Sequence, residues 1–585
     1  MISIAVIGGG PSGLFFCHAI EKIRRQFPNH TPLRVSCFER SSQPGGVWRA
    51  ATATDGDTTS GTDMYSQLWS NGCSHCLEFH DYTFDQHFGA AVPVYLKRQE
   101  LLEYILGRVQ HQCPDFFAKY VHFRHSVDHV AYDATTQKFA VTVRDLNSDT
   151  VDTQQYDKCI WACGENGRRL IPKPIAEAFE DFHGPVLHSA DVADAERFTT
   201  VVRNKRILLV GGGYSAEDIA LQAIQTGADH VYICVRNYYA SEVRMTRQWP
   251  GNKVTMVPYQ VPFLVTGNGD CIQFHESAWD FDHYKRASSG VSTKIRGIDT
   301  VILCTGYRKN LDMLDAGLRE DGFPSYEYNV DDKLAVPNDW AMPLSNLGEL
   351  IGHVPVPDNV EYPLEAVHPR FYHGVQIANP NMMFISQYGS DLPLWRVEAV
   401  CALLAGFASG TIPVPSAEVM RRRNAEEALL LMKNPYFRYT MDRKYAEATN
   451  NVWPEDSEPF QAYDDEVDLM WPEQIKIVAA IMNEARYPVT FGTRQELNDL
   501  GRQIEEMGHY DTFNRSRLST GNEQELMWKT FRDNTDYTSK FRSIYTGTVA
   551  VPLGSPWMRL QAEAQEKESG RKSPRSVDDP PPYAV

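Results

Sequence analysis

The feature that most restricts this chain is a glycine-rich turn that occurs twice, each time directly after an apolar strand and directly before a helical run. The first copy is Ile2-Ser-Ile-Ala-Val-Ile-Gly-Gly-Gly-Pro-Ser-Gly13, a strand leading into Gly8-x-Gly10-x-x-Gly13, with a helix predicted from Leu14 to Arg25. In such a turn the first glycine permits the tight bend, the second lets backbone approach a pyrophosphate, and the third lets helix and strand pack closely. Pro11 and Ser12 complete the turn, and the next predicted strand, Leu33 to Phe38, ends in Glu39, placed to accept from ribose hydroxyls, with Arg40 beside it.

The second copy is Arg206-Ile-Leu-Leu-Val-Gly-Gly-Gly-Tyr-Ser-Ala216, a strand into Gly211-x-Gly213-x-x-Ala216 with a helix predicted from Glu217 onward. Tyr214 and Ser215 lie inside this turn. The following strand, His230 to Val235, ends in Arg236, where a site for the unphosphorylated nicotinamide dinucleotide would carry an acid. A guanidinium there suits a 2'-phosphate and selects NADPH; the alternative is a solvated cation at a strand end. Two further runs, Tyr156 to Gly164 and Asp299 to Tyr307, each read as a strand closed by a small residue and a glycine, and the second brings Thr305, Gly306 and Tyr307 beside a nucleotide.

A chain of 585 residues is too long for one core, so two or three packed units are expected. Its formal net charge of -18, from 57 Lys and Arg against 75 Asp and Glu, repels phosphates on average. An anionic cofactor must therefore be held by local donors and helix N-termini, and nucleic acid is not an expected partner. The run Ile2 to Ile7 leaves no room for a secretory leader, and a cytoplasmic setting is expected. The apolar stretch from Val397 to Ile412 contains Glu398, Gly406, Ser409 and Gly410 and reads as a buried helix, so no membrane anchor is expected. Of the 11 cysteines, Cys37, Cys159 and Cys304 fall in predicted strands as reduced core thiols. Cys73 and Cys76 form a CxxC near His75 and His80, but no downstream ligands complete a zinc set, and no metal is expected.

With these motifs in place the chain resembles the class B flavin-containing monooxygenases. Gly45-Gly46-Val47-Trp48 is similar to that family's GGxW segment beside the flavin, and Phe182 to His188 matches the first seven positions of its FxGxxxHxxxY/F signature, with Val192 where an aromatic is usual. The stretch from Met64 through Trp69, Ser70 and Asn71 to Tyr82, then His87-Phe-Gly89, resembles the bacterial trimethylamine monooxygenase branch. Tyr214 and the run Phe531-Arg532-Asp533 point the same way, whereas Gln387 to Trp395 departs from the branch.

The resemblance implies an α/β fold with two Rossmann-like dinucleotide-binding domains, one for FAD and one for NADPH, and a helical C-terminal extension. The corresponding division is an FAD-binding domain in two parts, 1–195 and 326–455, around an NADPH-binding domain at 196–325, then helices over 456–560 and a disordered tail at 561–585. It also implies oxygenation of a nitrogen or sulfur nucleophile by O2 through a C4a-hydroperoxyflavin, with a small amine or thioether as substrate. Asn71 is then the expected catalytic hydrogen-bonding residue, against a plain turn role in Ser70-Asn71-Gly72, and Tyr214 a ring near the nicotinamide, against filling a helix start. Trp69, Ser70, Gly46, Val47 and Trp48 would line the flavin, and Gly211, Gly213, Ser215, Ala216 and Glu217 the second nucleotide. The alternatives are a Baeyer-Villiger oxygenase acting on ketones and a non-catalytic flavoprotein serving as a binding partner. A homodimer is admitted, as is a WW-domain contact through Pro580-Pro-Pro-Tyr583.

Overall fold

The computed structural model describes residues 1–49, 64, 68, 70, 77–79, 81–89, 96–164, 168–235, 253–258, 260–276, 293–308, 310–315, 318, 371–385, 393–420, 423 and 480–486. Within these residues the chain builds two mainly parallel sheets, each around one glycine turn, as the α/β reading expects. Of the helical extension expected over 456–560, only 480–486 is described, and it contains a helical turn; the tail lies outside the described residues.

The first sheet centres on β1 (Ile2–Ile7), an almost wholly buried apolar strand. It pairs in parallel with β2 (Leu33–Glu39) on one side and with Lys158–Trp161 on the other. The strand Val121–Phe123 extends the β2 edge, and Met382–Phe384 extends the opposite edge in parallel before a short antiparallel pair, Phe371–Tyr372 and Val375–Gln376. Helix α1 (Pro11–Gln26) leaves the turn with proline at its start, where the missing N–H costs nothing. Leu14, Phe15, Phe16 and Ile20 bury its inner face against Val6, Val35 and Cys37 of the sheet. The helix Pro393–Ser409 packs along α1, and its Leu403, Leu404 and Ala405 are fully buried. No described helix is long and apolar enough to cross a membrane.

The run from Tyr156 to Gly164, expected as one strand, is broken. Thr150–Tyr156 belongs to a three-stranded antiparallel meander with His125–Asp133 and Lys138–Asp145, and the parallel strand Lys158–Trp161 starts only after Asp157. Asp157 is the corner. Its carboxylate accepts from the Ser3 N–H at 2.8 Å and the Ser3 hydroxyl at 2.7 Å, and it pairs with Lys138 at 2.8 Å. Burial pushes this carboxyl up, but the Lys138 and Ser3 hydrogen bonds outweigh it and bring the pKa down to about 2.

The second sheet is parallel throughout, in the order Val254–Pro258, His230–Val235, Arg206–Val210, Thr300–Leu303, Val186–His188. Its edge strand Val186–His188 enters from the signature segment, ahead of residue 196. An antiparallel meander of Gln260–Thr266, Cys271–Glu276 and Lys294–Arg296 covers one face, packing Ile272, Phe274 and Ile295 against Leu208, Val210 and Leu303.

Behind the first sheet lies a buried ionic network. Arg108, on the helix Arg98–His111, is 1% exposed and donates through Nε to Asp81 at 2.8 Å and through Nη2 to Glu398 of the helix Pro393–Ser409. Lys22 of α1 pairs with Asp81 at 2.6 Å and with Glu398 at 3.6 Å. The guanidinium also stacks 4.0 Å over the Phe79 ring. His18 sits beside this cluster, and its ring is held well below the usual histidine range by burial first, then by the Arg108 and Lys22 charges. The ligand atoms of His18, Asp81 and Glu398 lie within 4.8 Å of one another, as in a metal set, but the two resident cations already neutralise both carboxylates. Removing one member leaves buried charge uncompensated, so Glu398→Ala should cost about 3 kcal/mol or more in urea unfolding. Truncating the half-exposed Arg144, which bridges Asp128 and Asp149 on the outer meander, should leave the midpoint unchanged.

Candidate functional site

The two glycine turns are built on the same bonds. In the first, the Gly8 N–H donates to the Phe38 carbonyl at 2.9 Å, and Ala162 N–H donates to Ile7 at 2.9 Å. In the second, Gly211 N–H donates to Cys234 at 2.9 Å, and Cys304 N–H donates to Val210 at 2.8 Å. Each first glycine thus sits where three parallel strands end, with φ of +106° at Gly8 and +127° at Gly211. A side chain there would also strike a neighbouring backbone oxygen, Ala162 O at 2.6 Å or Cys304 O at 2.2 Å. Gly13 meets a tighter limit, since a Cβ would stand 2.0 Å from the Gly8 carbonyl oxygen. Ala216, the third position of the second turn, is fully buried, so that turn leaves room for one methyl.

Both helix starts are open. Gly10 is the N-cap of α1 and Gly213 that of the helix Tyr214–Thr226, and neither receives a side-chain cap. The free N–H groups and the positive helix end form a ready anion site. Pro11 and Ser12 are half-buried at the first rim; at the second, Ser215 is half-buried and Glu217 is buried in the first helical turn. Glu39 lies buried across the first turn, its Oε2 accepting from the Gly9 N–H at 2.7 Å and its Oε1 from the Ser41 N–H at 2.9 Å. Arg40, one residue further on, is exposed.

The GGxW segment closes over the first turn. Gly45 N–H donates to the Gly9 carbonyl at 3.0 Å, and a Cβ on Gly46 would come within 2.9 Å of the Gly10 Cα. Val47 and Trp48 follow in a single 3-10 turn and are half-buried. Behind them, Arg98 at the start of its helix is 3% exposed and donates through Nη1 to the Trp48 carbonyl, while its backbone N–H donates to Leu68 at 2.8 Å. Ser70 is buried next to it, donating from its N–H to Leu96 O at 2.8 Å and accepting from Leu96 N–H at 3.1 Å. Sequence reasoning singled out Ser70 but missed Arg98, which stands in no motif; the missed signal was a lone arginine opening the helical run that follows Ser70.

At the second turn, His188 of the signature segment is a clasp. Its Nδ1 accepts from the Ala190 N–H at 3.2 Å, and its Nε2 lies 3.0 Å from the Gly306 carbonyl oxygen, to which it donates. Burial pushes the ring's pKa down, in keeping with a neutral imidazole. Tyr307 packs edge-on to that ring at 5.0 Å, and Thr305 donates to the Leu170 carbonyl. Val192, where the family signature has an aromatic, is 1% exposed and packs with Phe198 and Val202 in the core of this unit. Asn71, Trp69 and Arg236 lie outside the described residues, as does the Tyr214 side chain.

The thiols around the first turn are mostly buried, which favours their protonated form. Cys163 donates to Ile7 O at 3.2 Å, and burial pushes it up to about 12. Cys37, Cys159 and Cys304 are buried and free, as expected, with their thiols raised. The arrangement suits two bound dinucleotides.

Residues 2–257 match the family of flavin-binding monooxygenase-like proteins. The chain is 34% identical over 323 residues to a trimethylamine monooxygenase of Methylocella silvestris, an alignment covering 54% of this chain and 63% of that protein. It therefore spans under two thirds of that relative. Among solved structures it is similar to Tmm from Pelagibacter sp. strain HTCC7211, with a TM-score of 0.58 and 24% identity over 86% of this chain and 91% of the other. It is also similar in fold to the S-allyl-L-cysteine S-oxygenase of Allium sativum, with a TM-score of 0.55 and 16% identity over 97% and 99% of the two chains. The family resemblance carried by the motifs is borne out.

The turns respond differently to one added methyl. Gly10→Ala and Gly213→Ala have room in the protein itself, the nearest atom being 3.6 Å away at Gly10 and none lying within 4 Å at Gly213. Both variants should melt like wild type yet lose dinucleotide affinity, each at its own site, by titration calorimetry. Gly13→Ala should lose the folded N-terminal unit altogether.

Proposed function

We propose that this chain, whose residues 2–257 are of the flavin-binding monooxygenase-like family, is an NADPH- and O2-dependent oxygenase of a nitrogen or sulfur nucleophile. FAD would occupy the first turn and NADPH the second. The observation that carries the reading is the pair of uncapped glycine turns within one matched stretch, only the first of them roofed by Gly45-Gly46. Bound there, the flavin would supply the redox chemistry that couples NADPH oxidation and O2 activation to oxygenation of the substrate.

The protein's part is positioning and exclusion. Gly10, Pro11, Ser12 and Gly13 form the helix start that would hold the flavin pyrophosphate, and Glu39 would accept from the adjoining ribose. Gly46, Val47 and Trp48 lie over that turn, and Ser70 and Trp69 would complete the flavin lining. At the second turn Gly211, Gly213, Ser215 and Ala216 would cradle the other pyrophosphate, and Arg236 would hold the 2'-phosphate. Thr305, Gly306 and Tyr307 would border that nucleotide, with Gly306 and Tyr307 held by His188. Asn71 would offer an amide that donates and accepts without supplying a proton, and Tyr214 would be the ring near the nicotinamide.

The name of the Methylocella relative makes trimethylamine the first substrate to test. The reading places the protein in the cytoplasm, in keeping with free thiols at nine described cysteines. The Pro580–Tyr583 motif lies outside the described residues, and the reading needs neither it nor a homodimer.

NADPH oxidation should accelerate with trimethylamine or a thioether and yield the N-oxide or sulfoxide by mass. Acceleration by a cyclic ketone with lactone formation would transfer the reading to Baeyer-Villiger chemistry, and no substrate-dependent oxidation at all would refute it. Arg236→Ala should raise KM for NADPH far more than for NADH, because a charged hydrogen bond of roughly 1.5 to 3 kcal/mol is lost only with the phosphorylated cofactor. Asn71→Leu should retain flavin and divert NADPH oxidation from oxygenated product to hydrogen peroxide, read by a peroxide assay.

A further inference from the structure

Arg98 is a buried cation whose charge no described residue answers. It is 3% exposed, and among the described residues no carboxylate lies within ion-pair distance of it. Its guanidinium bonds are to neutral acceptors, the Trp48 carbonyl and, at 3.5 Å, the Gln99 side-chain oxygen. Its Nε is buried without a partner. Arg108, on the same helix, shows how this chain treats a buried arginine whose role is structural, since it stands between Asp81 and Glu398. Burying a cation without a counter-charge is expensive, and such a group is kept where an anion arrives.

The place of Arg98 says which anion. Its Nη1 fixes the carbonyl of Trp48, the last residue of the segment whose Gly45 bonds to Gly9 and whose Gly46 lies against Gly10. Its backbone N–H ties down Leu68, on the approach to Ser70. Arg98 thus stands behind the roof of the first turn, joined through Trp48 and Gly46 to the uncapped N-terminus of α1. We propose that Arg98 is a positioning residue for the flavin dinucleotide: its un-neutralised charge is the counter-charge for the anionic cofactor, and its donor fork sets the roof that covers it. This rests on the flavin reading of the first turn. In a chain of net charge -18 the local positive charge opposes the mean repulsion of a phosphate-bearing ligand.

The test uses the full chain stripped of flavin, with the FAD dissociation constant from fluorescence quenching and the melting temperature of the apo protein as separate readouts. Glutamine at position 98 retains a donor for the Trp48 carbonyl but no charge, whereas lysine retains the charge. Arg98→Lys should bind FAD within about threefold of wild type, and Arg98→Gln about tenfold or more weakly. A merely structural clamp would be restored by glutamine as well as by lysine, so equal affinities of the two variants would overturn the proposal.

If both variants melt early, Gln99→Glu settles the matter without touching Arg98. Gln99 is exposed, and its side-chain oxygen already contacts the guanidinium, so a carboxylate there answers the charge. It should weaken FAD binding severalfold with only the small loss in melting temperature expected from giving up the exposed Gln99–Glu103 hydrogen bond; unchanged affinity would overturn the proposal. A wild-type protein that binds no FAD at all would instead refute the flavin reading on which it rests.

Discussion

The closeness of α1 to the end of β1 is the constraint on which the rest of this molecule depends. A side chain at Gly13 would stand 2.0 Å from the Gly8 carbonyl oxygen, so helix and strand meet at a distance only glycine allows. That contact aims the helix start at the ends of three parallel strands, where Gly8 bonds to Phe38 and Ile7 to Ala162. The N–H groups of the helix start then open onto the crevice at the strands' carboxyl ends, where open α/β sheets bind ligands. The same device recurs at Gly211, with Ala216 in the third place.

Holding α1 there requires more than apolar packing. The ionic network around Arg108 joins α1 through Lys22, the segment after Ser70 through Asp81, and the helix Pro393–Ser409 through Glu398. It links residues nearly three hundred positions apart in sequence, the Arg108–Glu398 pair among them. Buried ion pairs add little net stability over apolar replacements, but they are intolerant of misplacement, which suits a scaffold that must fix a helix end against a ligand. Arg98, on the same helix as Arg108 and unanswered by any described acid, marks the side of that scaffold left for an anion.

Much of this was legible in the sequence because it is local. The strands Leu33–Glu39 and His230–Val235 end at or within one residue of where apolar runs and terminal charged residues place them. Both turn helices begin three residues earlier than expected, at Pro11 and Tyr214, because the second glycine is itself the N-cap and needs no polar side chain. The apolar run from Val397 is a buried helix, although it starts at Pro393 and keeps Glu398 inside through its pairing with Arg108. What the sequence hid is set by partners far along the chain. The break at Asp157 exists because Ser3 waits for its carboxylate, and neither antiparallel meander announces itself by a motif. Arg98 was invisible for the same reason, because its meaning depends on which side chains the fold brings, and does not bring, to its guanidinium.

The central claim is that two dinucleotides sit in one chain, the first a flavin reduced by the second. Anaerobic titration of the purified protein with NADPH, followed at the flavin absorbance, tests it most directly. The account predicts a flavin-coloured protein that bleaches with about one equivalent of NADPH and far less readily with NADH. A folded protein without flavin absorbance, or one whose flavin stays oxidised under excess NADPH, would contradict it.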